Sequence, residues 1–469
     1  MLKKKDWFRI HSFTGVITGL LLFVICWSGT FAVISHELDW LVTPEVRSEN
    51  PLPEWHEPDW QAILSAVQRE FPAATLAWIE RPLYAHSAAQ AVVNLPRQEY
   101  VRVYVDPITH EVLGKYSYVN VQRFFRSFHM NLFLPGRIGS YIVMAFSITL
   151  LISAVAALYF YSRWWKRFFR FSPGRQAFWS ELHKSAGLWS LWFILVIAIT
   201  GGWYLFELMR GHIGDGKITY TASGAYAVHQ IPEPSSDPAL PVLPLNELVA
   251  RAQMLRPDLE IRMVNFNWGD SEQKATFYVD GQSDHLLVRN RANQVTLDSR
   301  TGEVLYNQNA AEYPLYWRWS DTADPLHFGD FGGLVSKLVW FFFGLVLSGI
   351  ILTGTWLHAR RLQREKNGRQ RNYWPGTLPA VLASLVVFSA SIPFGLQSIR
   401  DYYGLLVGDA KVLPELAPGV AAVIGLWIVA TLGIITLWCY WLFRFGEQPA
   451  QKPVSPPSAA ATRGMETAG

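Results

Sequence analysis

Residues 7–16 read WFRIHSFTGV and residues 179–188 read WSELHKSAGL, and a long apolar run follows each stretch. In both, a tryptophan is followed four residues later by a histidine, His11 or His183, and four residues after that by a glycine. An ionisable side chain at the mouth of a membrane helix is energetically costly, so it is a functional candidate by default. The recurrence of this motif raises the question of why the chain has the same histidine twice.

The composition indicates a membrane protein. Half of the 469 residues are hydrophobic, 14% are aromatic and 17% are charged, and the mean hydropathy is +0.13. That is too apolar for a soluble chain of this length. The net charge of +4 is small and implies no nucleic-acid partner.

Several common sites are missing from the sequence. The two cysteines, Cys26 and Cys439, both lie in apolar runs, so neither a disulfide framework nor an iron–sulfur site is expected. A CxxCH motif for covalently attached haem is absent. So are the GxGxxG and GxxxxGK[ST] fingerprints of nucleotide sites.

Six apolar runs are long enough to span a bilayer: 13–36, 138–161, 186–208, 334–357, 376–398 and 417–443. No small-residue cleavage site closes the first run, so we expect an uncleaved helix. Lysine and arginine clusters precede the first run and fill the segments between the second and third and between the fourth and fifth. The positive-inside rule then predicts cytoplasmic termini in a bacterial inner membrane, with two soluble segments in the periplasm.

The predicted segments alternate between membrane and water. They are a first transmembrane helix (1–37), a periplasmic module (38–137), a second helix (138–162), a cytoplasmic loop (163–185), a third helix (186–208), a second periplasmic module (209–333), a fourth helix (334–358), a cytoplasmic loop (359–375), a C-terminal transmembrane hairpin (376–443) and a disordered cytoplasmic tail (444–469).

The two periplasmic modules resemble each other. Each offers a helix, near 58–71 or 244–255, followed by strand-like runs. The runs are EYVRVYVDP and EVLGKYSYV in the first module, and EIRMVNFNW, KATFYVD, HLLVRN, QVTLD and EVLYN in the second. VYVDPITHEVLGKY (103–116) matches VTLDSRTGEVLYNQ (295–308), and in both an aspartate opens a tight turn.

The sequence therefore predicts a mainly α-helical polytopic membrane protein built from a tandem repeat. Each copy consists of a helix, an α+β module and a helix, which gives a four-helix core. Both copies start on the same side, so the repeats are parallel. The C-terminal hairpin is not duplicated.

The repeat sorts the boundary histidines into pairs. His11 is equivalent to His183, and His129 in SFHMNLF is equivalent to His327 in PLHFGDF, each opening the second or fourth helix. Two imidazoles that face each other across the repeat axis can bind one haem iron from both sides. Two pairs predict two b-type haems, one near each face of the membrane.

Other residues fit this prediction less specifically. His36 and His358 have no duplicate and are less certain ligands, and His212 is typical of an interfacial residue. Glycines leave room for a macrocycle at positions 15, 19, 29, 187, 201 and 202. Four cationic side chains are candidates for contact with haem propionates: Arg9, Arg126, Arg137 and Lys184. The alternative is that all four paired histidines are ordinary interfacial residues.

These motifs resemble a known family. WFRIHSFTGVITGLLLFVICWSGTFAVISHELD, FWSELHKSAGLWSLWFILVIAITGGWYLF and the D-x-x-T-x-E-V-L turns are similar to those of PepSY-associated transmembrane proteins, over roughly residues 5–362. That family includes inner-membrane dihaem reductases of ferric siderophores. The resemblance implies haem ligation by His11, His183, His129 and His327. Two features depart from the pattern: His110 stands where the second turn has Gly302, and the C-terminal hairpin lies beyond the common core.

The resemblance implies a membrane-bound ferric siderophore reductase, in which electrons cross the membrane and no acid, base or nucleophile is required. Its expected partners are membrane lipid, a ferric siderophore or other iron chelate, a quinol or cytoplasmic flavoprotein as donor, and a periplasmic iron-uptake protein. Two alternatives remain open. A regulatory PepSY protein without redox activity leaves the paired histidines unexplained, and a siderophore or iron permease would need broken helices or midplane charges.

Overall fold

The computed structural model describes residues 2–53, 56–166, 168, 178–213, 237, 239–267, 276–283, 286–364 and 374–444. In this part the chain is mostly helical with one β-sheet. The predicted disordered tail beyond Arg444 and parts of the two predicted cytoplasmic loops lie outside the described residues. The helices are α1 (Lys4–Ile17), α2 (Gly19–Val33), α3 (Ser35–Val42), α4 (Trp60–Glu70), α5 (Val121–Asn131), α6 (Ile138–Phe160), α7 (Phe178–Trp189), α8 (Leu191–Ile213), α9 (Leu245–Leu255), α10 (Leu315–Phe328), α11 (Gly333–Arg364), α12 (Thr377–Tyr403) and α13 (Pro418–Arg444).

Five of the described helices are long and apolar enough to cross a membrane: α6, α8, α11, α12 and α13. A sixth span results if α1 and α2 are counted together, although these two helices meet at a bend of 69°. The prediction of one continuous helix across 13–36 is therefore wrong. We call the side of the bundle that carries the β-sheet the sheet side, and the other the loop side.

The interruption of the first span recurs in the second repeat. Thr18 separates α1 from α2, and Ser190 separates α7 from α8, at the same distance after His11 and His183. Both hydroxyls donate to the carbonyl oxygen four residues earlier, at Thr14 and Ala186. Such back-bonding competes with the helical ladder and bends helices. The predicted run 186–208 thus starts inside one helix and continues into the next.

His129 and His327 do not open the spanning helices, which corrects that prediction. They lie on the separate short helices α5 and α10. α5 ends at Leu132 with a φ of 52° and α10 ends at Gly329 with a φ of 70°, both left-handed, so the chain turns before the following span begins. Asp39 of α3 accepts the backbone N–H groups of Val121 and Gln122 and so caps α5.

The strands of both predicted modules form one sheet. They are β1 (Thr75–Glu80), β2 (Ala89–Leu95), β3 (Gln98–Val105), β4 (Val112–Ser117), β5 (Glu260–Asn267), β6 (Thr276–Gln282), β7 (Gln294–Asp298), β8 (Val304–Gln308), β9 (Leu405–Val407) and β10 (Ala410–Val412). The order is β10-β9-β3-β2-β1-β5-β6-β7-β8, with β4 also paired to β3. The antiparallel β1–β5 pair joins the modules. The prediction of a strand in HLLVRN is wrong, since its described residues form bends and a 3-10 turn.

The two faces of this sheet differ. Helices α4 and α9 cover one face with an apolar core that includes Ile79, Val103 and Val279. The opposite face combines polar residues, among them Gln90 and Arg102, with buried Val92 and Tyr104. The charge of Arg102 acts on the buried carboxyl group of Asp39 in α3. This face of the sheet therefore lies toward the sheet-side ends of the helices.

The C-terminal hairpin is tied to the first module. β9 pairs with β3 through Leu405 and Gln98. The Arg123 guanidinium of α5 donates to the Tyr403 hydroxyl at the end of α12 at 2.6 Å. The unduplicated hairpin therefore braces the helix that carries His129.

The predicted aspartate turns are confirmed. Asp106 accepts the N–H groups of Ile108 and Thr109, and Asp298 accepts those of Arg300 and Thr301. His110 and Gly302 take the same left-handed conformation, with φ of 58° and 71°. His110 therefore occupies a position at which glycine is the less strained residue.

Asp106 should make stability depend on pH. Burial raises its pKa, but hydrogen bonds from Thr109, Asn50, Ser48 and Ile108 outweigh that effect and lower the pKa to about 2. Because the folded-state value lies below the unfolded value of about 3.9, the carboxylate contributes about 2 kcal/mol that is present above pH 4 and lost as pH falls to about 2. We expect Asp106→Asn to be less stable than the wild type near pH 6 and equally stable near pH 2, in unfolding curves measured in detergent. A stability difference that stays constant from pH 6 to pH 2 would contradict this assignment.

Candidate cofactor-binding site

The structure brings the paired histidines together. The ring centres of His11 and His183 are 6.4 Å apart, and those of His129 and His327 are 6.2 Å apart. We call these the loop-side pair and the sheet-side pair. In each pair one histidine comes from the first repeat and one from the second.

Both rings of the loop-side pair are held through Nδ1. Nδ1 of His11 lies 3.0 Å from the carbonyl oxygen of Ser153 and 2.9 Å from its hydroxyl. Nδ1 of His183 lies 3.1 Å from the Thr353 hydroxyl. That hydroxyl donates to the Gly349 carbonyl, so it accepts from Nδ1. The proton therefore sits on Nδ1, and Nε2 is left as the nitrogen that can bind a metal.

The sheet-side pair is held in the same way. Nδ1 of His129 lies 3.0 Å from the carbonyl oxygen of Ile25 and 3.4 Å from the Ser28 hydroxyl. Nδ1 of His327 lies 2.8 Å from the Thr200 hydroxyl, which itself donates to Val196. Ser28 and Thr200 occupy equivalent positions in the two repeats, at the same distance after His11 and His183.

The sheet-side rings are neutral. Burial lowers the pKa of His129 to about 4 and the pKa of His327 to about 3. The opposing ring adds to the lowering for His327. A neutral imidazole is the form that binds a metal ion.

Each pair lines its own cavity. The sheet-side cavity contains about 1490 Å³ of empty space and the loop-side cavity about 1360 Å³, each counted with its open side. The walls are mainly apolar. Three arginines line the sheet-side cavity, Arg126, Arg289 and Arg291, while Lys184 and Arg361 line the loop-side cavity.

A single layer of leucines separates the cavities. Leu22, Leu150 and Leu347 line both of them and are 5%, 7% and 3% exposed. They come from α2, α6 and α11. A molecule in one cavity therefore faces a molecule in the other across side chains that exclude water.

Glycines keep the space between the rings open. A Cβ atom at Gly15 or Gly187 would meet nothing within 4 Å, and both positions line the loop-side cavity. On the sheet side, a Cβ at Gly29 would lie 2.6 Å from Cε1 of His129, so glycine is needed there to admit the ring. Gly29 and Gly201 follow Ser28 and Thr200, so the hydroxyl–glycine pair is duplicated as well.

The donor set fits haem better than a free metal ion. A metal–nitrogen bond of about 2 Å to each of two imidazoles separates the ring centres by roughly 6 Å, as both pairs do. Among the described residues, no three His, Cys, Asp or Glu side chains gather as metal ligands. Zinc sites take three or four protein ligands, whereas a haem iron needs only two from the protein.

Of the other predicted site residues, some line the cavities and some do not. Arg126 and Lys184 line the cavities, whereas Arg9 and Arg137 are exposed and belong to neither described lining. His36 is also exposed and lines neither cavity, but His358 lines the loop-side cavity. Outside both linings, His212 bonds the Tyr141 hydroxyl through Nδ1.

Sequence reasoning missed the residues that hold the rings. Ser28 and Thr200 had a usable signal, since a hydroxyl followed by glycine recurs at equivalent places after the two WxxxHxxxG motifs. Thr353 is likewise followed by a glycine, Gly354, whereas Ser153 is followed by alanine and carries no comparable local signature. Arg289, Arg291 and Arg361 reach the cavities only through the tertiary fold.

A family model described as "PepSY-associated TM region" matches residues 8–361, well over half of the chain. The match covers both histidine pairs and both cavities. No curated protein matches the chain.

A side chain at Gly187 tests whether a planar group lies between the loop-side rings. A Cβ atom at Gly187 would meet nothing within 4 Å, so the side chain of Gly187→Leu starts in open cavity space. We expect it to abolish haem uptake at the loop-side pair while the protein remains folded, as measured by haem titration and by unfolding in detergent. Gly425→Leu is the matched control, because Gly425 also has nothing within 4 Å but lines neither described cavity. Equal haem uptake by Gly187→Leu and Gly425→Leu would show that no planar group lies between the loop-side rings.

The Thr200 hydroxyl is expected to strengthen ligation by His327. Thr200→Val keeps the shape but removes the acceptor for Nδ1–H, and losses of such partners weaken metal binding by roughly 10- to 100-fold. Haem affinity at the sheet-side pair should fall accordingly and recover in Thr200→Ser. Thr149→Val is the control, since the Thr149 hydroxyl bonds only the Phe146 carbonyl among its described contacts. A sheet-side affinity unchanged in Thr200→Val would show that this hydrogen bond has no influence.

Proposed function

The chain belongs to the PepSY-associated transmembrane family, and from this premise we propose that it is a b-type dihaem oxidoreductase. It carries electrons across the membrane to ferric chelates on the sheet side. The biological outcome is ferric-siderophore reduction and iron release. The protein would reside in a bacterial inner membrane.

The proposal rests on one observation. Two opposed imidazole pairs, at 6.4 and 6.2 Å, lie in two cavities that share three leucines. A binding or regulatory protein has no need for two such pairs. The breaks at Thr18 and Ser190 are of the kind expected for a permease, but a permease has no need for an apolar partition between two cavities.

The residues have distinct tasks in this account. When bound, haem supplies reversible one-electron chemistry at its iron. The histidines hold and orient it through Nε2, and the partners of Nδ1 fix the tautomer and ring plane. The shared leucines exclude water between the sites. Arg126 and Arg291 on the sheet side, and Lys184 and Arg361 on the loop side, supply the positive charge that propionates require.

The charged residues of the sheet-side cavity and the position of the sheet support the sheet side as the substrate side. Arg126 and Arg291 line the sheet-side cavity together with the Arg289–Asp324 ion pair and Glu207, and a face of the sheet that carries polar residues lies toward the sheet-side helix ends. An anionic iron chelate would dock between them. Hard oxygen chelators bind Fe(II) far more weakly than Fe(III), so a one-electron reduction releases the metal.

The basic residues support the proposed orientation. Lys3, Lys4, Lys5 and Arg9 precede or begin the first span, Arg163 and Lys166 follow α6, and Arg360, Arg361 and Arg364 end α11. All of them belong to the loop side, which the positive-inside rule assigns to the cytoplasm. The sheet would then be periplasmic.

Haem counting tests the proposal. Detergent-purified protein should show a dithionite-reducible b-type spectrum and two haems per chain by pyridine haemochrome assay. His11→Ala and His183→Ala should each lose the same haem, and His129→Ala and His327→Ala should each lose the other, because each pair would hold one haem. His212→Ala is the control and should keep both.

A wild-type protein that lacks haem and takes up none when it is added would overturn the proposal. So would loss of both haems in all four variants alongside unchanged folding, because that would link the rings to one site rather than two.

A further inference from the structure

One buried histidine takes no part in either pair. His358 of α11 is 4% exposed, and its Nε2 has no hydrogen-bond partner among the described residues. Its ring lines the loop-side cavity, one helical turn after Gly354, which packs against His183. A buried polar nitrogen without a partner costs free energy, so a ligand that bonds it is expected.

Aromatic side chains lie close to His358. Phe8 and Phe160 belong to the same cavity lining, whereas Trp374 and Phe13 pack beside His358 outside that described lining. The Trp374 ring packs edge-on against His358 with centres 4.5 Å apart, and Phe13 stacks on the same indole. On the cavity wall, the Arg361 guanidinium lies over Phe8. The surroundings therefore suit a flat ring, and the imidazole suits a hydroxyl or carbonyl group on that ring.

The location favours a ligand that comes from the membrane. His358 lies near the loop-side end of the α11 span, which reaches Leu362, and Trp374 precedes α12. The cavity that His358 lines has an open side and mainly apolar walls.

We propose that the loop-side cavity binds a membrane hydroquinone whose hydroxyl group hydrogen-bonds to Nε2 of His358. This inference rests on the proposed function, to which it adds the electron donor. Oxidation of one hydroquinone to the quinone yields two electrons and two protons. The two electrons convert two Fe(III) chelates to Fe(II), and the two protons go to water on the loop side.

Photolabelling of the purified full-length chain tests the site. The probe is an azido-1,4-benzoquinone, displaced by excess duroquinone, and labelled positions are mapped by mass spectrometry. We expect saturable labelling at the loop-side end of α11 and around Trp374. His358→Leu should weaken displacement by duroquinone about tenfold, as loss of one hydrogen bond predicts. His358→Gln should restore most of it, and His212→Leu is the matched control.

Three results would overturn the inference: no saturable labelling in the wild type, equal displacement in His358→Leu, or loss of the loop-side haem in His358→Leu. The third would make His358 part of the haem site instead. Failure here is distinct from failure of the proposed function. Two haems without quinone labelling would leave the reductase intact with a different donor, whereas quinone labelling in a protein that binds no haem would remove the reductase and keep the quinone site.

Discussion

The arrangement depends on the hydrogen bonds that hold Nδ1 of four buried imidazoles. Without them each ring could rotate, change tautomer or draw in water, and no opposed pair would persist. In each pair one ring donates to a backbone carbonyl, of Ser153 or Ile25, and the other donates to a threonine hydroxyl. These bonds compensate for burying the rings and leave Nε2 as the nitrogen that can bind a metal.

The repeat uses one arrangement twice to hold all four rings. Each copy orients its own two histidines: α6 and α11 hold the loop-side rings, and α2 and α8 hold the sheet-side rings. Association of the two copies then completes both pairs at once. The helix breaks at Thr18 and Ser190 recur at equivalent places in the two copies, and the first of them turns the helix that carries His11 by 69° from the helix that follows.

Duplication is the reason that the sequence revealed so much. A motif repeated at WxxxHxxxG and again around His129 and His327 predicts a symmetric pair, whereas a single boundary histidine predicts little. Other features of the fold were not predicted: the bends, the short helices α5 and α10, and the joining of both modules through β1 and β5. At the cavities, Ser153, Thr353 and Arg291 were not predicted either. Hydropathy reports length and apolarity, and it does not report a break made by one hydroxyl.

The most direct test of opposed imidazoles is the electron paramagnetic resonance spectrum of the oxidised, purified protein. Two low-spin ferric signals with the anisotropy of bis-imidazole coordination are expected. His183→Ala should remove one of them and His327→Ala the other. High-spin iron at both sites in the wild type, or no haem signal at all, would contradict the account.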